Sequence, residues 1–125
     1  MTPDQLSRRV AEIFGWEYLP GHDALMVTAQ WYRIVSDTEE HQREGKDPPP
    51  YASPGEWVLF GEMVSFLSND WQVVHFSHTK KKSNVCILDW AYDLVCQRDG
   101  QSLNEAAARC VVAIEGKDDG RTNPR

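Results

Sequence analysis

The sequence predicts an α+β fold: one small domain in which an antiparallel sheet of about three strands packs with three helices in α-β-α layers. Three observations carry this. Helix-capping signatures open at Thr2-Pro3-Asp4-Gln5, Ser53-Pro54-Gly55-Glu56 and Ser102-Leu103-Asn104-Glu105. Between the last two lie runs rich in aromatic and β-branched residues, 71–76 and 85–95, split by the polar break His78-Thr79-Lys80-Lys81-Lys82-Ser83-Asn84. A length of 125 residues suffices for one core and not for two.

The first helix is expected over residues 3–14. Thr2 caps it, Pro3 takes the first position and Gln5 the third, while Leu6, Val10, Ile13 and Phe14 form one stripe. Gly15 suits the left-handed position that ends a helix. Residues 16–23 read as a connector carrying Pro20 and Gly21. Residues 24–35 leave two readings open. Leu25, Val27, Ala29 and Trp31 alternate as in a strand, yet Ala, Leu, Met and Gln favour a helix that Asp23 could cap. The strand is the reading adopted. Residues 36–52, SDTEEHQREGKDPPPYA, read as an exposed loop with an extended, polyproline-like end. Its Asp37, Glu39, Glu40 and Glu44 are the densest negative cluster in the chain.

Residues 53–77 read as the stretch around which the rest is organised. Ser53 is the expected cap, Pro54 the first helical residue and Glu56 the partner that reaches back to the cap. Trp57, Phe60, Val64 and Leu67 recur at helical spacing, widened by Leu59, Met63 and Phe66, until Asn69-Asp70 breaks the helix. Trp57 and Trp71 are expected in the core. The next two strands form a hairpin tipped by Lys80, Lys81 and Lys82, with the second arm interrupted near Asp89 or bent near Asp93. Arg98-Asp99-Gly100 reads as a turn. The final helix carries Leu103, Ala107, Cys110, Val111 and Ile114, ends at Gly116, and has alanines that permit close approach to a sheet. The domain spans 1–116 and residues 117–125 read as a disordered tail.

Composition narrows the function. The net charge is −6; residues 1–60 hold ten acids and five bases, the remainder nine acids and eight bases. That balance disfavours direct nucleic-acid binding, which needs clustered Lys and Arg, and suits an acidic surface that enters a basic groove on another protein. No apolar run approaches the ~20 residues that span a bilayer. The opening TPDQLSRR lacks a signal core, so a cytoplasmic location is expected. Cys86, Cys96 and Cys110 show no CxxC spacing and lie among apolar residues, as buried reduced thiols do. His75 and His78, three apart on a strand, fall on opposite faces, so no metal and no cofactor is expected. Cys96 with His75 and Asp93 is the nearest approach to a nucleophile set, nothing in their spacing requires it, and the chain is not read as an enzyme.

The helix ending in Gly15-Trp16, the segment Pro49-Pro50-Tyr51-Ala52-Ser53 before the middle helix, and the closing Ala-rich helix NEAAARCVVAIEG together resemble the small phage proteins that contain the phage ABA sandwich domain. The resemblance spans nearly the whole chain. It implies a layered α+β domain of phage or prophage origin and supplies no catalytic residues. The acidic stretch and the lysine tip have no counterpart in it.

The functional expectation is a non-catalytic phage accessory protein that binds a host protein in the host cytoplasm. Its concrete version is an anti-CRISPR-like inhibitor of a bacterial defence nuclease. The contact residues would be Asp37, Glu39, Glu40 and Glu44, with Trp31 and Tyr32, or Trp90 and Tyr92, as aromatic anchors. The alternative is a nucleic-acid or small-ligand module that uses Lys80, Lys81 and Lys82 on phosphate. The hairpin has apolar residues on both faces, Cys86, Leu88 and Trp90 on one and Val85 and Ile87 on the other, so a second copy is a further candidate partner.

Overall fold

The three capping signatures behave differently in the fold, and the differences set its layout. In the computed structural model, which describes residues 1–69 and 73–118, helix α1 runs Pro3–Ile13 with the expected box closed. Gln5 N–H donates to Thr2 Oγ1 at 3.3 Å and Thr2 N–H donates to Gln5 Oε1 at 3.0 Å. Helix α3, Leu103–Asp118, is half-boxed: Ser102 Oγ accepts from Glu105 N–H, while the Glu105 carboxylate reaches past the cap to Gln101 N–H. Gly116 lies inside this helix and does not end it.

The middle helix corrects the sequence reading. Helix α2 runs Trp57–Asn69 and does not start after Ser53. Gly55 sits at φ +87°, a left-handed backbone that no right-handed helix admits, so the turn at 51–55 must finish before the helix begins. Trp57 is thereby placed on the first turn and is 65% exposed, not core. The apolar seam falls instead on Met63 and Leu67, one turn apart and fully buried.

Among the described residues there are two antiparallel three-stranded sheets where one was expected. The first is β1 (Glu17–Leu19), β2 (Gln30–Ser36) and β3 (Glu39–Glu44), in that order. The second is β4 (Val73–His78), β5 (Ser83–Leu88) and β6 (Leu94–Gly100). The connector at 16–23 thus contains a strand. A short 3-10 turn at Asp23–Leu25 precedes β2, so the alternating reading holds only from Gln30. The acidic loop is a strand in a hairpin, and Pro48, Pro49, Tyr51 and Ala52 beyond it are buried rather than exposed. Gly100 ends a strand and is not in a turn. The α+β class with three helices stands.

Helix α3 is the hub, not the 53–77 stretch: it packs on the second sheet, on α1 and on α2. Its small residues explain this. Ala106, Ala107, Ala108 and Cys110 are all fully buried, and at Gly100 an added Cβ would lie 2.7 Å from the Ala106 nitrogen. Ser83, Val85 and Ile87 of β5 face the helix, with Cys110 Sγ donating to the Val85 carbonyl at 3.5 Å. Cys96 is buried and Cys86 half-buried; none of the three cysteines is in a disulfide. Hydrogen bonding to Cys96 and burial push the Cys110 thiol far up, so it stays protonated. Trp71, read as core, and residues 119–125 of the expected tail lie outside the described residues. No described helix is long and apolar enough to cross a membrane.

Candidate functional site: the β2–β3 hairpin

Cross-strand partners in an antiparallel ladder point to the same face. The pairings Glu17↔Tyr32, Leu19↔Gln30, Ile34↔Glu40, Tyr32↔Gln42 and Gln30↔Glu44 therefore define one face of the first sheet. The pairings Tyr18↔Trp31, Trp31↔Arg43 and Arg33↔His41 define the other. The residues 39–44, EEHQRE, segregate by this alternation: Glu40, Gln42 and Glu44 look outward, His41 and Arg43 inward. All six are exposed.

The inward face meets the helices. Trp31 is 1% exposed, with Tyr18 at 5.2 Å and the Arg8 guanidinium of α1 at 5.2 Å from its ring. Arg33 makes a two-pronged ion pair with Glu62 of α2; Nη2 donates to Oε2 at 2.8 Å and Nη1 to Oε1. Tyr51 donates its hydroxyl to Glu62 at 2.8 Å and accepts from Trp16 Nε1 at 3.0 Å. Burial, then the Glu62 charge, push the Tyr51 hydroxyl well above its ordinary value, while the hydrogen bond to Glu62 raises Arg33 further. Arg33 also lies over the Trp16 ring at 4.8 Å. Above this network is an open cleft of about 380 Å³, walled by Trp16, Pro49, Val58 and Leu59 and reached by His41, Gln42 and Arg43.

The outward face is acidic. Glu17, Glu40 and Glu44 share it with half-buried Tyr32 and exposed Ile34, and Asp37 and Glu39 sit at the hairpin end. No Lys or Arg occurs among its paired positions. Tyr32 donates to Glu17 at 2.6 Å, a bond that raises the tyrosine pKa and fixes the ring across the sheet. Gln42 donates to Glu40 at 3.1 Å. Glu40 and Glu44 are four residues apart, about 13 Å along a strand, which exceeds the ~8 Å screening length at physiological salt. Their mutual repulsion is therefore small and the face costs the fold little.

The expected contact residues separate. Tyr32, Glu40 and Glu44 come together, with Glu39 and Asp37 adjoining. Trp31 does not join them: it is one residue out of phase and buried under Arg8, so it is core and not an anchor. Lys80, Lys81 and Lys82 tip the hairpin of the other sheet, where Lys82 pairs with Asp99 at 3.3 Å. Trp90 and Tyr92 are 73% and 65% exposed on a turn that Asp89 holds by accepting from Ala91 and Asp93 N–H. The imagined nucleophile set is split by the second sheet. His75 pairs with Cys86 and Cys96 with Ile87, so the histidine and the thiol lie on opposite faces. Among the described residues, no cluster of three or more His, Cys, Asp or Glu could hold a metal.

Sequence reasoning missed Glu17, Arg33, Tyr51 and Glu62. The signal for the hairpin was present: Glu40 and Glu44 alternate with His41 and Arg43 after Asp37-Thr38, a two-residue connection. Comparison with known proteins finds no matching family model, no matching curated protein and no matching solved structure.

Proposed function

We propose that this chain is a non-catalytic binding protein whose acidic hairpin face occupies a basic groove on a partner protein. The observation that carries the reading is the segregation of Glu17, Glu40 and Glu44 onto one exposed face beside Tyr32, with Asp37 and Glu39 at its end. A groove that binds nucleic acid presents Lys and Arg to phosphates, and a row of fixed carboxylates competes for the same cations. The partner class is accordingly a nucleic-acid-handling protein. The most specific form of the proposal is a phage accessory protein that inhibits a bacterial defence nuclease, which the family resemblance supports. A phosphate-binding role for the lysine tip is the weaker reading, because Lys82 already has a carboxylate partner.

The test is capture from a bacterial lysate with the parent chain and with Asp37→Asn, Glu39→Gln, Glu40→Gln and Glu44→Gln combined. The parent retains a basic partner that the variant loses, and that partner's association slows as salt rises. A variant that retains the same partner equally well overturns the proposal.

A further inference from the structure

We infer that the open edge of β3 is a strand-addition site, and that it takes an extended basic segment of the partner as a fourth, antiparallel strand of the first sheet. The inference rests on the acidic-face reading and specifies how that face is engaged.

The phase of the ladder fixes the edge. Gly45 N–H donates to the Ala29 carbonyl at 2.8 Å. In an antiparallel pair, bonded and non-bonded positions alternate. Trp31 with Arg43 and Arg33 with His41 therefore exchange the bonds to β2. The N–H and C=O of Glu40, Gln42 and Glu44 point the other way, off the sheet, where β3 has no neighbour. Among the described residues no backbone or side-chain group bonds them there. The edge is six residues long and exposed throughout.

Charge selects the occupant. A charged edge ordinarily keeps other chains off. Here it does so against a second copy: symmetric pairing about Gln42 would set Glu40 against Glu44 twice, like charges directly opposite one another. A basic segment meets the reverse. Residues opposite Glu44 and Glu40 share the outward face and place a Lys or Arg at each, four apart. The two intervening odd positions point inward, level with Arg43 and His41, beside the cleft of Trp16, Pro49, Val58 and Leu59. Charge there is already balanced, with Arg33 paired to Glu62 and Arg43 sharing the cleft lining with Glu56, so the apolar walls favour a medium apolar side chain. The segment is thus basic, apolar, polar, apolar, basic, with main-chain bonds supplying affinity and alternate side chains specificity.

The experiment titrates the full isotope-labelled chain with a capped seven-residue peptide. It carries arginine at positions two and six, valine at three and five, and threonine elsewhere. The amides of Glu40, Gln42 and Glu44 are expected to shift and to exchange more slowly. N-methylation of the position-four amide, which faces Gln42, should weaken binding at least about tenfold, one hydrogen-bonded register step. N-methylation at position three, which faces away, should leave it unchanged. Gln42→Pro removes the matching outward donor without breaking the β2 ladder and should also abolish binding. If Glu40→Gln with Glu44→Gln weakens the peptide but neither N-methylation nor Gln42→Pro does, the edge inference fails and the acidic face stands. If none of these changes matters, both fail. Dimerisation of the free chain through these amides would give the edge to a second copy and overturn the inference.

Discussion

Replacing Glu62 by Gln tests whether the first sheet is held to the helices by the network under the cleft. The substitution keeps the shape and keeps an acceptor for the Tyr51 hydroxyl. It removes the charge that both prongs of Arg33 engage. Breaking a fully buried pair costs about 3–5 kcal/mol because the surviving charge is stranded. The side chains of Arg33 and Glu62 are 16% and 25% exposed, so water relieves part of that cost. Arg33 Nε is already buried without a partner among the described residues, which limits the relief. A net loss of about 2 kcal/mol is expected, near the value of charged hydrogen bonds. For a chain between the usual small and medium size classes this is a fall of roughly 6–10 °C in Tm. Scanning calorimetry of parent and variant at pH 7 measures it directly. Arg33→Met combined with Glu62→Leu should recover much of the loss, since removing both partners strands no charge. A Glu62→Gln variant that melts within a degree of the parent would show that the pair is a solvated surface contact. The docking of the sheet would then rest on Trp31 and Tyr18 under Arg8.

Trp31→Ala should destabilise by about 3–5 kcal/mol, whereas Trp57→Ala should cost ~1 kcal/mol or less, chiefly its edge contact with Phe60; equal denaturant midpoints for the two variants would refute the assignment of core and surface. Gly100→Ala forces a Cβ to 2.7 Å from the Ala106 nitrogen and should cost about 1–3 kcal/mol, read as a lower Tm; a neutral result would mean that α3 and β6 can separate freely. Tyr51 is raised in the fold, so the folded state holds its proton where the unfolded chain releases it. Its stabilisation is complete below about pH 10 and declines as pH rises beyond that. Tyr51→Phe should flatten the alkaline decline in urea-derived stability, and parallel curves for parent and variant above pH 10 would sink the argument.

Much of the fold was legible because local chemistry and tertiary packing agree there. Thr2 and Gln5 close their box, the lysine tip joins β4 to β5 where the polar break lies, and the alanines of α3 do pack on a sheet. The misplaced middle helix has one physical source. Ser53-Pro54-Gly55-Glu56 satisfies a capping pattern by residue type, but the pattern is blind to the φ that Gly55 adopts. Once that glycine turns left-handed, the helix starts later and Trp57 rotates out of the core. Propensity reads residues one at a time, and this outcome depends on how Pro49, Pro50 and Tyr51 are anchored from elsewhere: Ser7 Oγ accepts from Ala52 N–H at 2.9 Å, across 45 residues.

The hairpin was hidden for a different reason. Strand patterns are recognised by apolar residues on one face, and β3 has none; acidic residues at 40 and 44 alternate instead with the polar His41 and Arg43. Glu40 and Glu44 against His41 and Arg43 is a period of two, as regular as Leu25, Val27, Ala29 and Trp31, but it is written in charge rather than hydrophobicity. Such a strand gains little from burial of its own side chains. It is held by the ladder to β2, whose Trp31 and Arg33 are anchored to the helices. That division of labour follows from stability. A strand that contributes little apolar burial is free to carry side chains chosen for something else. On the outward face and at the hairpin end those side chains are acids, placed where neither the core nor any described ion pair requires Glu44, Glu39 or Asp37. Residues that the fold does not need, aligned by a ladder that the fold does provide, are the reason to seek the partner at this face.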